Sequence, residues 1–362
     1  MRRDDVPSPS LLLDLDAMER NIATMAAHAE SAKVRLRCHA KSHKCVEIAR
    51  LLARAGALGP ACATIAEAEA MAAGGITGIL ITSPMVTRDQ LTRLRRLLFR
   101  GADLMVVVDD PRNLEGLAQA VRGTGRKLPL IVELDVGVGR TGCREIADAV
   151  ALAQAIEPER FFEFAGIQAY WDNLQQVTPI EERERRARVQ IERTTELIKA
   201  LTRIGLEPAI VTGSGTGTSW IDAASGLFTE IQPGSFLFLD SCYGRVAISP
   251  EGNPFEPALF VAARVVSANH PGRVVVDAGW KALAADSGTP VPRRGAPPGS
   301  TYRFMGDEHG AVEFTSGEPP RPGEVIELLT SHCDPTVNLH ARYLVARDEE
   351  IVDVWPVVAR GY

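Results

Sequence analysis

The stretch Val34-Arg-Leu-Arg-Cys-His-Ala-Lys-Ser-His-Lys44 decides how this chain folds. It opens as a short alternating run at residues 34–37, turns polar and basic through residue 44, and leads into an amphipathic stretch over residues 45–55. Strand, polar loop and helix in that order make one βα unit, and the unit recurs. Short apolar or β-branched runs predict strands at residues 34–37, 61–65, 79–82, 104–108, 130–134, 164–169, 209–212 and 229–237. Helical periodicity lies around and between them at residues 16–29, 45–55, 66–73, 88–99, 111–121, 146–155 and 180–204, with a short piece at 222–225. Thr64, with Glu67 three positions on, gives one of these helices a capping signal. Eight strands alternating with helices predict an α/β fold, a TIM-type (β/α)8 barrel rather than an open sheet. The dense charge at the start of residues 180–204 (Glu-Glu-Arg-Glu-Arg-Arg-Ala-Arg from 181) reads as a solvated helix face.

After Tyr243 the texture changes. Strand-like runs at residues 259–267, 273–277, 302–305, 311–315, 324–330, 343–347 and 350–354 are separated by turns rich in Pro, Gly and Asp. This predicts a second, smaller all-β domain, which the early strand at residues 11–14 can join. The expected division is a barrel over residues 16–245 and an antiparallel β domain made of residues 1–15 plus 246–362.

Composition narrows the function classes. The chain has 362 residues, 45% hydrophobic and 24% charged, an ordinary balance for a soluble protein of one large and one smaller domain. A net charge of −6 points away from nucleic acid and from anionic membrane as partners. No run approaches the ~18 apolar residues of a membrane span. The apolar residues 11–13 are too few for a signal core and are followed at once by Asp14 and Asp16. Six cysteines without a CxxC pair read as reduced thiols, so a cytoplasmic setting is expected.

Four segments carry side chains suited to chemistry. In the first, Lys41 falls just past the C-terminal end of the first barrel strand, where barrel enzymes place reacting groups. A lysine roofed there by apolar chain becomes a usable amine nucleophile. His39 and His43 stand two positions to either side. On an extended segment they would share its face, and their cationic forms would lower its pKa further. Spacing alone does not separate Lys41 from Lys44, nor either from a solvated basic loop. The second feature is a pair of small-residue loops after the seventh and eighth strands, residues 212–219 and 232–235. Their backbone N–H groups and hydroxyls suit a phosphate, although ordinary glycine turns look the same.

The third segment is the glycine-rich loop after the fifth strand, which carries Arg140. A guanidinium keeps its proton, so it would leave a pyridine nitrogen facing it unprotonated; pairing with a nearby acid is the plainer reading. The fourth is Ser331-His-Cys-Asp-Pro-Thr-Val-Asn338. On an extended segment His332 and Asp334 point the same way and Cys333 points opposite. One imidazole and one carboxylate suit a divalent ion with open positions, and a structural turn is the alternative.

Taken together these segments resemble the D-threonine aldolase / D-serine dehydratase family, whose barrel is of the alanine-racemase type. The likeness runs through residues 9–16, 37–44, 63–69, 139–142, 166–170, 212–219, 233–235, 306–310 and 332–339. It implies pyridoxal 5′-phosphate (PLP) held by Lys41 as a Schiff base, with Arg140 on the pyridine nitrogen. It implies Thr216, Gly234, Ser235 and Tyr243 as cofactor contacts, mostly at the phosphate. Tyr170 becomes a residue at the ring face or on the substrate side. His332 and Asp334 become ligands of a divalent metal, Mn2+, Mg2+ or Zn2+. The dehydratase branch usually shows His-x-Cys at this place and the aldolase branch His-x-Asp, so Asp334 leans toward the aldolases.

One departure stands out. Aldolases of the family usually read Gln-Ala-Tyr-His-Gly-Ser-Ala-Gln-His, where this chain reads Gln168-Ala-Tyr-Trp-Asp-Asn-Leu-Gln-Gln176. Gln176 replaces a histidine linked to deprotonation of the β-hydroxyl, and glutamine is no base at neutral pH. Metal-bound water alone, or Asp172, would have to take that part, and Trp171 is expected to reshape the pocket.

The resemblance thus implies a metal-dependent aldolase that cleaves or forms the Cα–Cβ bond of a β-hydroxy D-amino acid. The products are glycine or a related small amino acid and an aldehyde. Catalytic parts fall to Lys41, Tyr170 and Arg140, the partner is a small amino-acid substrate, and the assembly is a homodimer. Three other readings remain: a lyase that removes the β-hydroxyl of D-serine or 3-hydroxy-D-aspartate as water, an amino-acid racemase, and a non-catalytic PLP carrier.

Overall fold

The computed structural model describes residues 1–361. Strand β1 (Ser10–Asp14) comes first. Eight parallel strands follow: β2 (Arg35–Leu36), β3 (Ala61–Cys62), β4 (Ile79–Ile81), β5 (Leu104–Val108), β6 (Leu128–Leu134), β7 (Phe162–Ala169), β8 (Ile210–Gly213) and β9 (Glu230–Ile231). They pair in the order β2-β9-β8-β7-β6-β5-β4-β3. A parallel bridge from His39 to Ala61 joins the first and last of these, so the ring curls back on itself. The TIM-type fold is thereby seen.

Alternation along the strands sets two packing layers. Ile79, Ile81, Val106, Val108, Leu130 and Val132 pack into the main core cluster with the surrounding helices. Leu80, Val107, Ile131 and Ala165 form a separate cluster, which fills the ring as a packed core. Arg37 and Glu230, both buried, tie β2 to β9 by a two-pronged ion pair at 2.6 and 2.9 Å.

Several strands are shorter than the sequence suggests, each for a local reason. The run at 229–237 pairs only over Glu230–Ile231, because Pro233 has no N–H to donate and residues Ser235–Leu237 tighten into a 3-10 turn. The run at 61–65 stops at Cys62 because Thr64 caps the following helix, its hydroxyl accepting from Glu67 N at 3.2 Å. The charged helix Ile180–Arg203 is solvated at Glu182, Arg185 and Arg186. Arg183 departs from that reading. It is fully buried and donates to the carbonyls of Val177 (2.6 Å) and Ala247.

The remaining strands form a nine-stranded sheet in which β10 (Leu259–His270) is central. β1 lies inside this sheet, antiparallel to β10 and parallel to the strand Arg342–Arg347. All six cysteines are free thiols. Among the described residues no helix is long and apolar enough to cross a membrane.

Candidate active site

The C-terminal ends of the barrel strands surround a cavity of about 240 Å3. Lys41 follows β2, Arg140 follows β6, Tyr170 comes directly after β7, and Thr216 follows β8; Gly234, Ser235 and Tyr243 follow β9. Asp334 enters from beyond the barrel. Of the residues given a catalytic, cofactor-binding or metal-ligand part from the sequence, all but His332 line this cavity.

The two lysines separate. Lys41 Nζ faces the cavity and stands 3.5 Å from Asp334 Oδ2. Lys44 turns away into a buried pair with Glu67 at 2.9 Å, and also donates to the Ala359 carbonyl at 3.0 Å. The segment between them is a 3-10 turn (Ala40–Ser42), so His39 and His43 do not share an extended face with Lys41. His39 lies in the cavity wall beneath the lysine, its Nε2 3.4 Å from the Thr82 hydroxyl. Burial, reinforced by the charge of Lys41, pushes its pKa well down; burial brings that of His43 to about 4. Both rings are neutral at physiological pH, so the cationic assistance anticipated from the sequence is absent.

The two glycine loops make one cradle. Thr216 Oγ1 accepts from Phe236 N at 3.1 Å and so joins them. Gly215, Thr216, Gly234 and Ser235 are all buried. Among the described residues their backbone N–H groups have no acceptor within the chain. Buried donors left this way need a ligand, and several converging on one cavity suit a phosphate. Gln175 holds the cradle from behind. Its Oε1 accepts from Gly217 N at 2.9 Å and its Nε2 donates to Thr218 Oγ1 at 3.0 Å. A side chain at Gly217 would overlap the Gln175 carbonyl at 1.8 Å, so glycine is required by close approach.

Beneath the cavity runs a polar layer that sequence reasoning missed. Gln168 donates to Glu133 at 3.0 Å, and Gln232 donates to Gln168 at 3.2 Å and to Thr212 at 2.8 Å. The available signal was polar residues at apolar strand ends, as in the Gly-Ile-Gln-Ala-Tyr run ending at Tyr170. The Tyr170 phenol donates to Asp172 at 3.1 Å and lies under the Arg140 guanidinium, 5.3 Å from ring centroid to carbon. Burial, then Asp172, pushes its pKa up, so it stays protonated. Trp171 is fully buried against Phe228 and belongs to the core, so it does not shape the cavity directly as anticipated. Gln176 is exposed and outside the cavity wall.

The His-x-Asp segment is not extended. His332 precedes a helix, Cys333–Leu339, whose first turn carries Asp334. Asp240 sets this geometry. One of its oxygens accepts from Tyr243 N at 3.0 Å and the other from Cys333 N at 2.8 Å. A buried carboxylate thus satisfies a helix-start N–H and locks the segment to the cradle. His332 and Asp334 still meet in a second cleft adjoining the cavity. His332 Nδ1 contacts Asp286 Oδ2 at 2.6 Å. No group of three or more metal-binding side chains occurs among the described residues.

Comparison with known proteins follows the same lines. A family model described as the alanine racemase N-terminal domain matches residues 13–242, and a serine dehydratase domain model matches residues 258–346. D-threonine aldolase of an Arthrobacter species is 40% identical over 359 residues, covering 99% of this chain and 93% of that protein. 3-Hydroxy-D-aspartate aldolase of Paracoccus denitrificans is 37% identical over 367 residues, covering 100% of this chain and 94% of that protein. The solved structure of D-threonine aldolase from Filomicrobium marinum matches with a TM-score of 0.94 at 41% identity, covering 99% of this chain and 97% of that one. With such matches over its whole length, the chain belongs to the D-threonine aldolase / D-serine dehydratase family, built on the alanine-racemase-type barrel.

Proposed function

We propose that this protein is a PLP-dependent carbon–carbon lyase. It cleaves, and in reverse forms, the Cα–Cβ bond of a β-hydroxy D-amino acid, giving glycine or a related small amino acid and an aldehyde. The observation that carries the reading is the position of Lys41 on the cavity wall, between a cradle of unpartnered backbone N–H groups and the Asp334 carboxylate. Whole-length likeness to two aldolases supports the reaction class.

The cavity fits the cofactor. Thr216, Gly234 and Ser235 would take its phosphate, Arg140 its ring nitrogen and Lys41 its aldehyde carbon, with Tyr243 and Tyr170 bordering it. PLP, when bound, offers a carbonyl to the amine and a ring that accepts the electron pair left at Cα. Lys41 is the group placed to return a proton to that carbon. Arg140 does not surrender its own proton, which keeps the ring nitrogen an acceptor. Tyr170, protonated and held by Asp172, orients rather than removes protons.

The donor chemistry of His332 and Asp334 fits a divalent ion whose remaining positions go to water and substrate oxygen. Such an ion would lower the pKa of a β-hydroxyl, a task that Gln176 cannot perform. In this reading residues 16–245 hold the cofactor, the β domain of residues 1–15 and 246–362 supplies the ion's ligands, and the protein works as a cytoplasmic homodimer. The described tyrosines of that β domain, Tyr302 and Tyr343, donate to the carbonyls of Ala278 and His43, which leaves neither as the second base a racemase needs.

The test is product analysis on protein loaded with PLP and Mn2+. Glycine and an aldehyde support the aldolase, whereas a keto acid and ammonia would make it a dehydratase. Lys41→Ala should lose both the coloured adduct and turnover. If that variant keeps its colour, the assignment of Lys41 fails.

A further inference from the structure

A carboxylate, Asp222, lies behind the phosphate cradle, fully buried in the short helix Ser219–Ala224. The Thr218 hydroxyl donates to its Oδ2, and Thr218 Oγ1 in turn accepts from Gln175 Nε2 at 3.0 Å. The other atom of that amide, Gln175 Oε1, holds Gly217 N at 2.9 Å. Three hydrogen bonds thus connect Asp222 to the cradle. We infer that Asp222 is a positioning residue that balances charge for the cradle: above neutral pH it is ionised while the cradle is empty, and it takes up one proton from solvent, on its free oxygen, when a phosphate dianion binds. This rests on the PLP reading above.

The buried Arg183 explains why the empty cradle needs a charge at Asp222. The other buried arginines, Arg3 and Arg37, are held by carboxylates, Glu327 at 2.8 Å and Glu230 at 2.6 Å. Among the described residues Arg183 instead donates only to the carbonyls of Val177 and Ala247. A buried guanidinium without a counter-ion is costly, and Asp222 is the buried carboxylate whose charge acts on it. A bound phosphate changes this balance. It brings two further negative charges into the same water-poor region, and one guanidinium cannot offset them and a carboxylate as well. A proton on Asp222 removes the repulsion and leaves the phosphate facing Arg183's field.

Asp222 is built to take that proton. Its Oδ1 has no hydrogen-bond partner among the described residues, so a proton there breaks no bond. The Ser214 hydroxyl and the Trp171 indole face the carboxyl, and Ser214 also lines the cavity, which puts Asp222 one side chain behind its wall. Burial pushes the pKa of Asp222 up to about 7, with the Thr218 bond holding it back, and a nearby dianion pushes it further up. The other charged or titratable groups around it are engaged or neutral. Glu230 on β9 is paired with Arg37, and Glu184 beside Arg183 is exposed. Burial keeps the Tyr243 phenol protonated, and it keeps His28, stacked on Trp220 at 3.7 Å, in its neutral form.

The probe is 4′-deoxypyridoxine 5′-phosphate, which has no carbonyl and makes no bond to Lys41. Its phosphate is largely a dianion above about pH 7, so the proton counted there is not the phosphate's own. Full-length protein freed of PLP is titrated with it at pH 8 in two buffers of different ionisation enthalpy. Wild type should take up about half a proton more per site than Asp222→Asn, and should lose about fivefold more affinity from pH 7 to pH 8.5. Asparagine keeps the shape and the acceptor for Thr218, so a purely structural part would shift affinity equally at every pH. Wild type alone gives a second measurement: its infrared difference spectrum should gain the C=O stretch of a protonated carboxyl on binding. Equal proton uptake and parallel pH profiles in the two proteins, or a wild-type spectrum without that band, would overturn the inference and leave the PLP reading intact. A probe that fails to bind would overturn the PLP reading, and the inference with it.

Discussion

Lys41 Nζ and Asp334 Oδ2 lie 3.5 Å apart, joining the loop after the first barrel strand to the helix that starts at Cys333. The pair brings the one lysine that reaches the cavity to the carboxylate that borders both the cavity and the cleft. Asp334 thus faces the amine on one side and, on the other, the cleft that His332 also lines, so its charge bears on both.

Replacing that charge should separate the two. Asp334→Asn keeps the shape, and Asp240 still holds the helix start through Cys333 N. We expect PLP to bind as in wild type, while Mn2+ affinity falls by about 100-fold or more, as for loss of a ligand rather than of an outer partner. Calorimetric titration of Mn2+ into each protein measures this. Unchanged Mn2+ affinity would remove Asp334 from the ion site.

Lys44 should behave as a structural residue. Its partner Glu67 has a side chain only 2% exposed, and the ammonium is the cation beside it. Lys44→Met leaves an uncompensated buried carboxylate, which typically costs about 3–5 kcal/mol. The variant should unfold at lower urea than wild type yet form the coloured PLP adduct when folded. A stable Lys44→Met protein that fails to take up PLP would reverse the roles of the two lysines.

Much of this was legible in the residues. Leu104–Val108 and Arg88–Phe99 appear in the structure with the bounds read from sequence, because buried parallel strands and amphipathic helices write distinct periods. What was not legible depends on distant partners. Lys41 and Lys44 look alike locally; Glu67 and the Ala359 carbonyl, 315 positions away, tell them apart. The His-x-Asp segment looks extended until Asp240, 93 positions earlier, accepts the Cys333 N–H and starts a helix. Arg183 sits in a charge run whose other members are solvated, and no local pattern marks it for burial.

Gln175 should matter to the cofactor without touching the reaction. It fixes Gly217 and Thr218 from behind the cradle through its amide, so Gln175→Leu keeps the volume and removes both bonds. Two lost hydrogen bonds of about 1 kcal/mol each predict PLP binding weaker by roughly 10–30-fold. At saturating PLP, kcat should stay near wild type. A large fall in kcat with unchanged PLP affinity would place Gln175 in the reaction instead.

The buried histidines should make the apoprotein sensitive to acid. His43 is held neutral until pH falls to about 4, chiefly by burial, and its Nδ1 accepts from Cys45 N at 3.1 Å. In the unfolded chain the same ring takes up its proton near pH 6.5. Between those values the unfolded state binds the extra proton, so stability is complete above about pH 6.5 and falls as pH drops toward 4. His39, also lowered, acts in the same direction. His43→Gln retains an acceptor for Cys45 N and cannot titrate. From pH 8 to pH 5 wild type should lose about 2 kcal/mol more than this variant in urea unfolding of metal-free apoprotein. Equal losses would mean that His43 is protonated in the fold at pH 5, and hence that the loop beneath Lys41 is wetter than its packing indicates.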